Sequence, residues 1–528
     1  MAIPPKMELG VLCQVAGLRC PPGAEQVVVS GVTEDSRVAT GGMFFVAVPG
    51  TRVDGHDFVG QAVANGCAAV LVRDDAAGQW PVPVIRTPDT GRALGHLAAA
   101  LYGFPGSRMR MIGITGTNGK TTSSYLLESI IRAGGGEPGV IGTVAVRFAG
   151  QDIPAALTTP RPGELQKILW QMAEAGVTHV VMEVSSHALV QERINGLLFD
   201  VALFTNISRD HLDFHGSMES YFLAKTRLFA NYLKQDGRAV VVLDAGRGST
   251  DQLSGWSGRL IELLHGQGRH CLSCGIGAGD VCADRFQFDL RGTSAEVHGP
   301  GGRMALTSPL VGEFNLRNIL GVVGCALALA IAPEAIRQAV ASCHGAPGRL
   351  ERVVGRMEEP EKLPQVAVFV DYAHTPDALE KVLVTLRQLK PKRLIVVFGC
   401  GGDRDRGKRP LMGGVAIRLA DVVVVTSDNP RSEEPEKILA EIAEGVVENG
   451  GERIAAAQLM LERNRRGYDV IKDRAEAIRV AVRGAAPGDV VLISGKGHEC
   501  YQIIGNRRLS FDDRQQARHE LQKAGKAA

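Results

Sequence analysis

Gly116-Thr117-Asn118-Gly119-Lys120-Thr121-Thr122-Ser123 decides how this chain is read, because it follows directly on the apolar run of residues 109–115. The order is a strand, a glycine-rich turn and the first turn of a helix. Successive backbone N–H groups in such a turn form a nest for phosphate oxygens, and the helix N-terminus adds partial positive charge. Lys120 would reach the β- and γ-phosphates, and the Thr121 hydroxyl would ligate the magnesium that bridges them. The usual spacing would put the first glycine at position 114, where Ile114 stands flanked by Gly113 and Gly116. The strand before and the helix after still point to a nucleoside triphosphate.

Working outward, residues 177–183 form a second buried-type strand ending in Glu183. A carboxylate there suits magnesium, directly or through water, with capping of the next helix as the alternative. Ser185, Ser186 and His187 follow at once, but no nucleophile-elbow pattern surrounds Ser185, which favours substrate contact over hydrolysis. A third strand, residues 201–206, leads into Asn206-Ile207-Ser208-Arg209-Asp210-His211-Leu212-Asp213-Phe214-His215-Gly216, with two histidines and two aspartates in six residues. That density suits a loop facing a metal or a phosphate, with His211 the better ligand and a solvated turn the alternative. Lys225 follows in the helical stretch Ala224-Lys225-Thr226-Arg227-Leu228-Phe229. A lysine beside magnesium repels the ion unless its charge is changed. Carbamylation would make it a carboxylate-like ligand, and a surface lysine is the plain alternative.

The rest of the chain is also α/β. Short apolar runs at 26–29, 43–48, 68–72 and 82–85 suggest a small N-terminal unit without a nucleotide loop, closed by a linker at Phe104-Pro105-Gly106-Ser107. Residue 239 opens another strand, residues 246–305 read as glycine-rich and irregular, and residues 321–332 read as a buried helix. A second linker is expected at Gly345-Ala346-Pro347-Gly348. Beyond it lie strands at 366–370, 393–398, 422–426 and 490–494. Each is followed by a polar cluster: Asp371-Tyr372-Ala373-His374, Gly401-Gly402-Asp403-Arg404, Asp428-Asn429-Pro430-Arg431 and Gly495-Lys496-Gly497-His498-Glu499. Open α/β sheets bind ligands beyond the carboxyl ends of their strands. The charged stretch 452–474 reads as a solvated helical insertion. The expected domains are therefore 1–105, 106–346 and 347–528.

Composition narrows the partners. With 59 Lys and Arg against 57 Asp and Glu, charge makes no case for nucleic acid or an anionic membrane. The first residues lack a basic segment followed by an apolar core, and the longest apolar stretch is too short to span a bilayer, so we expect a cytoplasmic protein. The expected state is a monomer. The ten cysteines fit reduced core residues. His270, Cys271, Cys274 and Cys282 include one Cys-x-x-Cys but no second pair at zinc spacing, so we expect no metal there.

Taken together, 116–122, 183–189, 206–216, Lys225, 312–318, Gly348-Arg349, 371–377 and 399–410 resemble the Mur ligase family, ATP-dependent enzymes that build the peptidoglycan peptide stem. Val32-Thr33-Glu34-Asp35-Ser36-Arg37 and Asp428-Asn429-Pro430-Arg431 resemble most the member that adds meso-diaminopimelate to UDP-MurNAc-L-Ala-D-Glu. The resemblance implies three α/β domains: a small UDP-binding domain, a central P-loop ATPase-type parallel sheet, and a Rossmann-like C-terminal domain. Glu34 and Ser36, with Thr51, Arg52 and Val53, would hold the UDP end of the substrate. Thr158, Thr159, Ser185, Gln191 and Arg193 would grip the muramoyl dipeptide. ATP would be held by Gly116, Thr117, Asn118, Gly119, Lys120, Thr121 and Thr122, with Asn315, Arg349, Asp371 and His374. Two magnesium ions would be served by Thr121, Glu183, His211 and a carbamylated Lys225, with Lys120, Glu183, His211 and Lys225 as the catalytic set. Diaminopimelate would sit against Arg404, Asp428, Asn429, Pro430, Arg431, Gly495 and Glu499. The implied chemistry is an acyl phosphate on the D-glutamate γ-carboxylate, attacked by the incoming amine.

Overall fold

The computed structural model describes residues 5–50, 53–244, 255–355 and 366–524. It divides into two compact units, one of Met1–Asp284, Val297–Arg303 and Arg317–Ala339, the other of Arg285–Glu296, Met304–Leu316 and Val340–Ala528.

The first unit begins with a parallel sheet of β1 (Gly31–Thr33), β2 (Met43–Val46), β3 (Ala69–Arg73) and β4 (Val84–Thr87), in that order. Both faces are covered, which explains why β2, β3 and β4 read as short continuous apolar runs. The run expected at 26–29 lies outside this sheet: its Val28–Val29 pairs with Met7–Glu8. Phe44, Val46 and Leu71 pack with Leu94, Leu97 and Leu101 of helix Thr90–Leu101. Phe45, Val70 and Val72 pack on the other side with Val59 and Ala62 of helix Val59–Ala64. Trp170, from helix Pro162–Glu174, joins the first of these clusters.

The larger sheet of this unit contains β5 (Arg110–Thr115), β6 (Pro138–Ile141), β7 (Ala145–Phe148), β8 (Gln151–Pro154), β9 (His179–Glu183), β10 (Phe199–Phe204), β11 (Leu233–Val242) and β12 (His270–Ile276). Their order is β8-β7-β6-β9-β5-β10-β11-β12, so β5 lies between β9 and β10 and parallel to both. Three strand ends that carry polar clusters in the sequence are therefore adjacent in space. The stretch expected to be irregular is ordered where described: it holds helix Trp256–Gly266, β12, and strands Val281–Asp289, Gly292–Gly299 and Gly302–Ser308. Cys271 and Cys274 lie on β12, three residues apart and so on opposite faces, and Cys274 is buried. The buried helix expected at 321–332 is the second half of helix Glu313–Ala328, where Val322, Val323, Cys325 and Ala326 are inaccessible. The expected first linker is packed rather than loose: Pro105 and Gly106 are buried, and a Cβ on Gly106 would stand 2.8 Å from Leu197.

The second unit is built on β13 (Glu351–Val353), β14 (Ala367–Asp371), β15 (Leu394–Phe398), β16 (Val422–Val425), β17 (Gly467–Val470) and β18 (Val490–Ser494), ordered β13-β14-β18-β15-β16-β17. All pairings are parallel except that of β13 with β14. Within 452–474 the structure corrects the sequence reading. That stretch is not a helical insertion: it holds the short helix Ala456–Leu461 and edge strand β17, whose Tyr468 is buried. Its four residues carry too brief an apolar signal to stand out among charges. The hairpin of β19 (Tyr501–Ile504) and β20 (Arg507–Ser510) follows β18.

Arg474 and Asp513 form an ion pair at 2.7 Å with neither side chain exposed. Arg474 also donates to the Ser494 carbonyl at the end of β18. Removing one partner leaves a buried charge, so Asp513→Ala should destabilise this unit by ~3–5 kcal/mol. Urea unfolding checks this, and a loss under about 1 kcal/mol would mean that the charge finds water. Among the described residues no helix is long and apolar enough to cross a membrane.

Candidate active site

The phosphate loop leaves β5 with Gly116 at φ +150° and Gly119 at φ +86°, conformations that favour glycine. A Cβ on Gly116 would stand 1.9 Å from Thr205 Oγ1 and 3.0 Å from the Asn206 carbonyl oxygen. The loop is anchored to the end of β10: the Thr117 N–H donates to the Asn206 carbonyl, and the Asn118 N–H to Asn206 Oδ1. Lys120, first residue of helix Lys120–Ala133, turns back to donate to the carbonyls of Gly116 and Thr117 at 2.8 and 2.9 Å. Its ammonium is thus held over the loop, where phosphate oxygens would lie. Gly116→Ala should cost ~2–3 kcal/mol and weaken ADP binding in parallel, as read by denaturation and nucleotide titration.

Glu183 ends β9, fully buried. Its carboxylate accepts from Thr121 Oγ1 at 3.0 Å and from the Thr143 hydroxyl and N–H at 2.9 and 3.1 Å. Neighbouring strands bring this set together, since β9 pairs with both β5 and β6. A hydroxyl and a carboxylate are hard oxygen donors, which suits magnesium in place of the hydroxyl–carboxylate bond.

The loop after β10 forms a ring cluster. His187 packs edge-on to His211 at 4.9 Å and lies 4.1 Å from the Phe214 ring; His215 lies 4.9 Å from Tyr221 and bonds Ser186 Oγ at 2.9 Å. Burial, with nearby histidines and Lys225, pushes His215 down to about 4. His211 sits at φ +51° beside Asp210, to which its Nε2 lies at 3.5 Å. Lys225, on helix Met218–Asn231, is buried, with Nζ 4.3 Å over the Tyr221 ring. Burial and the charge of Lys120 hold its ammonium well below the ordinary lysine range, against a smaller upward pull from Asp210. Among the described residues no three His, Cys, Asp or Glu side chains converge as metal ligands; Thr121 and Glu183 are in contact, while His211 and Lys225 both pack against the Tyr221 ring.

The residues expected to grip the dipeptide converge. Thr143 Oγ1 lies 3.1 Å from Thr158 Oγ1, the Ser185 N–H donates to Thr159 Oγ1, and Arg193 donates to the Thr159 carbonyl and to Gln191 Oε1. Glu34 pairs with Arg161 at 3.7 Å, and burial raises its carboxyl despite Arg161 and Arg193. Ser36 is buried and donates to Gln61. Val53 is exposed; Thr51 and Arg52 lie outside the described residues.

In the second unit, Asp371 at the end of β14 accepts from the Leu350 and Ala373 N–H groups, at 2.6 and 2.7 Å. Burial raises its carboxyl against the pull of Arg349. The Arg349 guanidinium stacks 4.7 Å from the Tyr372 ring, and its buried Nε has no hydrogen-bond partner among the described residues. His374 accepts a bond from Lys408 on its carbonyl, and burial pushes its imidazole down. Asn315 is buried at the start of helix Glu313–Ala328 and donates to the Val311 carbonyl.

The segment after β16 meets the turn after β18. The Asn429 amide donates to Glu499 Oε2 at 3.0 Å and accepts from Lys496 Nζ at 3.1 Å and from the Ile503 N–H at 2.9 Å. Gly495, at φ +119°, leaves room beside Asp428, where a Cβ would stand 2.7 Å from Oδ2. Arg431 is held at φ +52° by backbone bonds to Ile503 and Gly505, and its Nη1 donates to the Gly402 carbonyl. Arg404 Cγ and Arg431 Nη1 both flank Gly401. Sequence reasoning missed Thr143, Tyr221, Lys496 and Arg409, the last a buried guanidinium tied to Glu433, Glu441 and the Gly401 carbonyl. Lys496 and Arg409 stood inside segments singled out in the sequence, 495–499 and 399–410, and Thr143 and Tyr221 did not.

Three family profiles match the chain: "Mur ligase family, catalytic domain" at 28–102, "Mur ligase middle domain" at 114–326 and "Mur ligase, glutamate ligase domain" at 348–497. A UDP-N-acetylmuramoyl-L-alanyl-D-glutamate–2,6-diaminopimelate ligase of Gloeobacter violaceus is 44% identical over 496 residues, 94% of each chain. A protein of the same name from Geobacter metallireducens is 42% identical over 501 residues, again 94% of each. A solved structure bearing that name has a TM-score of 0.71 at 32% identity, covering 98% of this chain and all of that one. The MurF ligase from Thermotoga maritima in complex with ADP shares the fold alone, at TM-score 0.56 and 19% identity, over 94% of this chain and 98% of that one. End-to-end identity of this order, carried by profiles that together span both units, places the chain in the Mur ligase family.

Proposed function

We propose that this chain is the ATP-dependent ligase that joins meso-diaminopimelate to the D-glutamate γ-carboxylate of UDP-MurNAc-L-Ala-D-Glu. The observation that carries this reading is the buried union of Thr121 and Glu183 beside the phosphate loop, in a chain alike end to end to diaminopimelate ligases. Residues 1–105, 106–346 and 347–528 serve as the UDP-substrate, ATP and amino-acid regions.

In this reading Lys120 and the loop N–H groups hold the β- and γ-phosphates of ATP. Thr121, Glu183, His211 and carbamylated Lys225 would hold magnesium, whose part is to neutralise charge on the phosphates. Thr158, Thr159, Ser185, Gln191 and Arg193 orient the dipeptide. Its γ-carboxylate attacks the γ-phosphorus, the bond to the ADP oxygen breaks, and an acyl phosphate forms. The neutral α-amine of diaminopimelate attacks the acyl carbon, and the tetrahedral intermediate expels phosphate. Arg349, Asp371, His374 and Asn315 are the further residues assigned to the nucleotide. The Arg349 Nε, without a hydrogen-bond partner among the described residues, supports that role. Arg404 and Arg431 would take the distal carboxylate of diaminopimelate, and Asp428, Asn429 and Glu499 its ammonium.

The test is phosphate release from ATP with the UDP-dipeptide and either meso-diaminopimelate, L-lysine or no amino acid, with product masses read in parallel. The reading expects turnover, and a tripeptide mass, with diaminopimelate alone. Equal release without any amino acid would make the chain an ATPase and overturn it.

A further inference from the structure

Lys496 belongs to no role assigned above, yet its side chain is wholly buried. It follows β18, and its Nζ lies 3.5 Å from Asp428 Oδ1, 3.5 Å from Glu499 Oε2 and 3.1 Å from Asn429 Oδ1, with the Tyr501 ring centroid at 5.7 Å. One ammonium thus stands between two carboxylates. Its bond to Asn429 Oδ1, shared with the Ile503 N–H, also sets that amide so that its NH2 faces Glu499.

We propose that Lys496 is a positioning residue for the amino-acid pocket, holding Asp428 and Glu499 about one nitrogen and Asn429 oriented for the distal ammonium of the incoming amino acid. The proposal rests on the diaminopimelate reading of this pocket. Two carboxylates that share one nitrogen repel each other when it is removed, and the Asn429 amide loses the bond that sets it. Arg474, which also acts on both carboxylates, stays bound to Asp513 and does not replace it.

Lys496→Met should raise the KM for diaminopimelate about 30-fold, with the KM values for ATP and the UDP-dipeptide within about twofold. Lys496→Arg keeps a donor between the two carboxylates and should recover most of the affinity. A uniform rise in all three KM values, or Lys496→Arg weaker than Lys496→Met, would each overturn the proposal. If Lys496→Met fails to fold, Lys496→Met/Glu499→Gln should fold and show the same selective rise, since it leaves one unpaired carboxylate fewer; failure of both overturns it as well. Arg431→Ala run alongside separates the two claims. No selective effect there defeats the pocket reading, whereas a selective effect there and none at Lys496 defeats the lysine's role alone.

Discussion

Arg431→Ala should raise the KM for meso-diaminopimelate about 100-fold while leaving the KM for ATP within about twofold, because a bidentate guanidinium–carboxylate contact is lost from one substrate only. The change should be clean structurally. Arg431 is tied to the β19–β20 hairpin through its own N–H and carbonyl, to Ile503 and Gly505, and those bonds survive loss of the side chain. The lost side-chain bond is Nη1 to the Gly402 carbonyl, which a buffer water can replace. Specificity should fall with affinity. L-Lysine has the distal ammonium but no carboxylate, so in the native pocket it leaves the half-buried Arg431 guanidinium without that partner. Removing Arg431 lifts that penalty, and the preference for diaminopimelate over lysine should collapse by one to two orders of magnitude, on the order of the contact itself. Steady-state kinetics with both amino acids check this. Equal rises in the KM for diaminopimelate and ATP would sink the pocket assignment.

Lys225→Ala should lower turnover about a thousandfold, and millimolar formate, acetate or propionate should restore part of it. The amine is buried beside Lys120, and both facts disfavour its charged form. A neutral amine is the form that attacks carbon dioxide: its nitrogen bonds the carbon, one proton is released, and a carbamate anion remains. In place of a second ammonium next to Lys120, the site would then hold a counter-charge that suits magnesium. A carboxylic acid diffusing into the space left by the side chain supplies the same oxygen donors. A 13C carbonyl resonance from native protein equilibrated with labelled bicarbonate, absent in Lys225→Ala, reads the adduct without any turnover. An inactive variant that no short acid rescues, with no such resonance in the native chain, would remove the carbamate from this site.

What the sequence determined by itself was whatever is local. Residues 110–123 spell strand, turn and helix because apolar period, glycine and the Lys-Thr pair are contiguous, and a phosphate nest needs only contiguous backbone. Strands β2 to β5, β9 to β11, β14 to β16 and β18 announced themselves as apolar runs because parallel strands are buried on both faces. The clusters after β9, β10, β14, β16 and β18 were legible for the same reason, since each begins where an apolar run stops. Strand β17 was not, being four residues at a sheet edge inside a charged stretch. Nor were the convergences. Glu183 meets Thr143 because β9 pairs with β6, and Tyr221 reaches Thr117 at 3.1 Å across 104 positions of sequence. Lys496 reads as one more polar residue of a loop, and only the crossing of the turn after β18 with the segment after β16 turns it inward to Asp428, Asn429 and Glu499. Local pattern follows from contacts between near neighbours in the chain. Which side chains share a site follows from the order of strands in the sheet, set by the crossover connections and by the burial they achieve together.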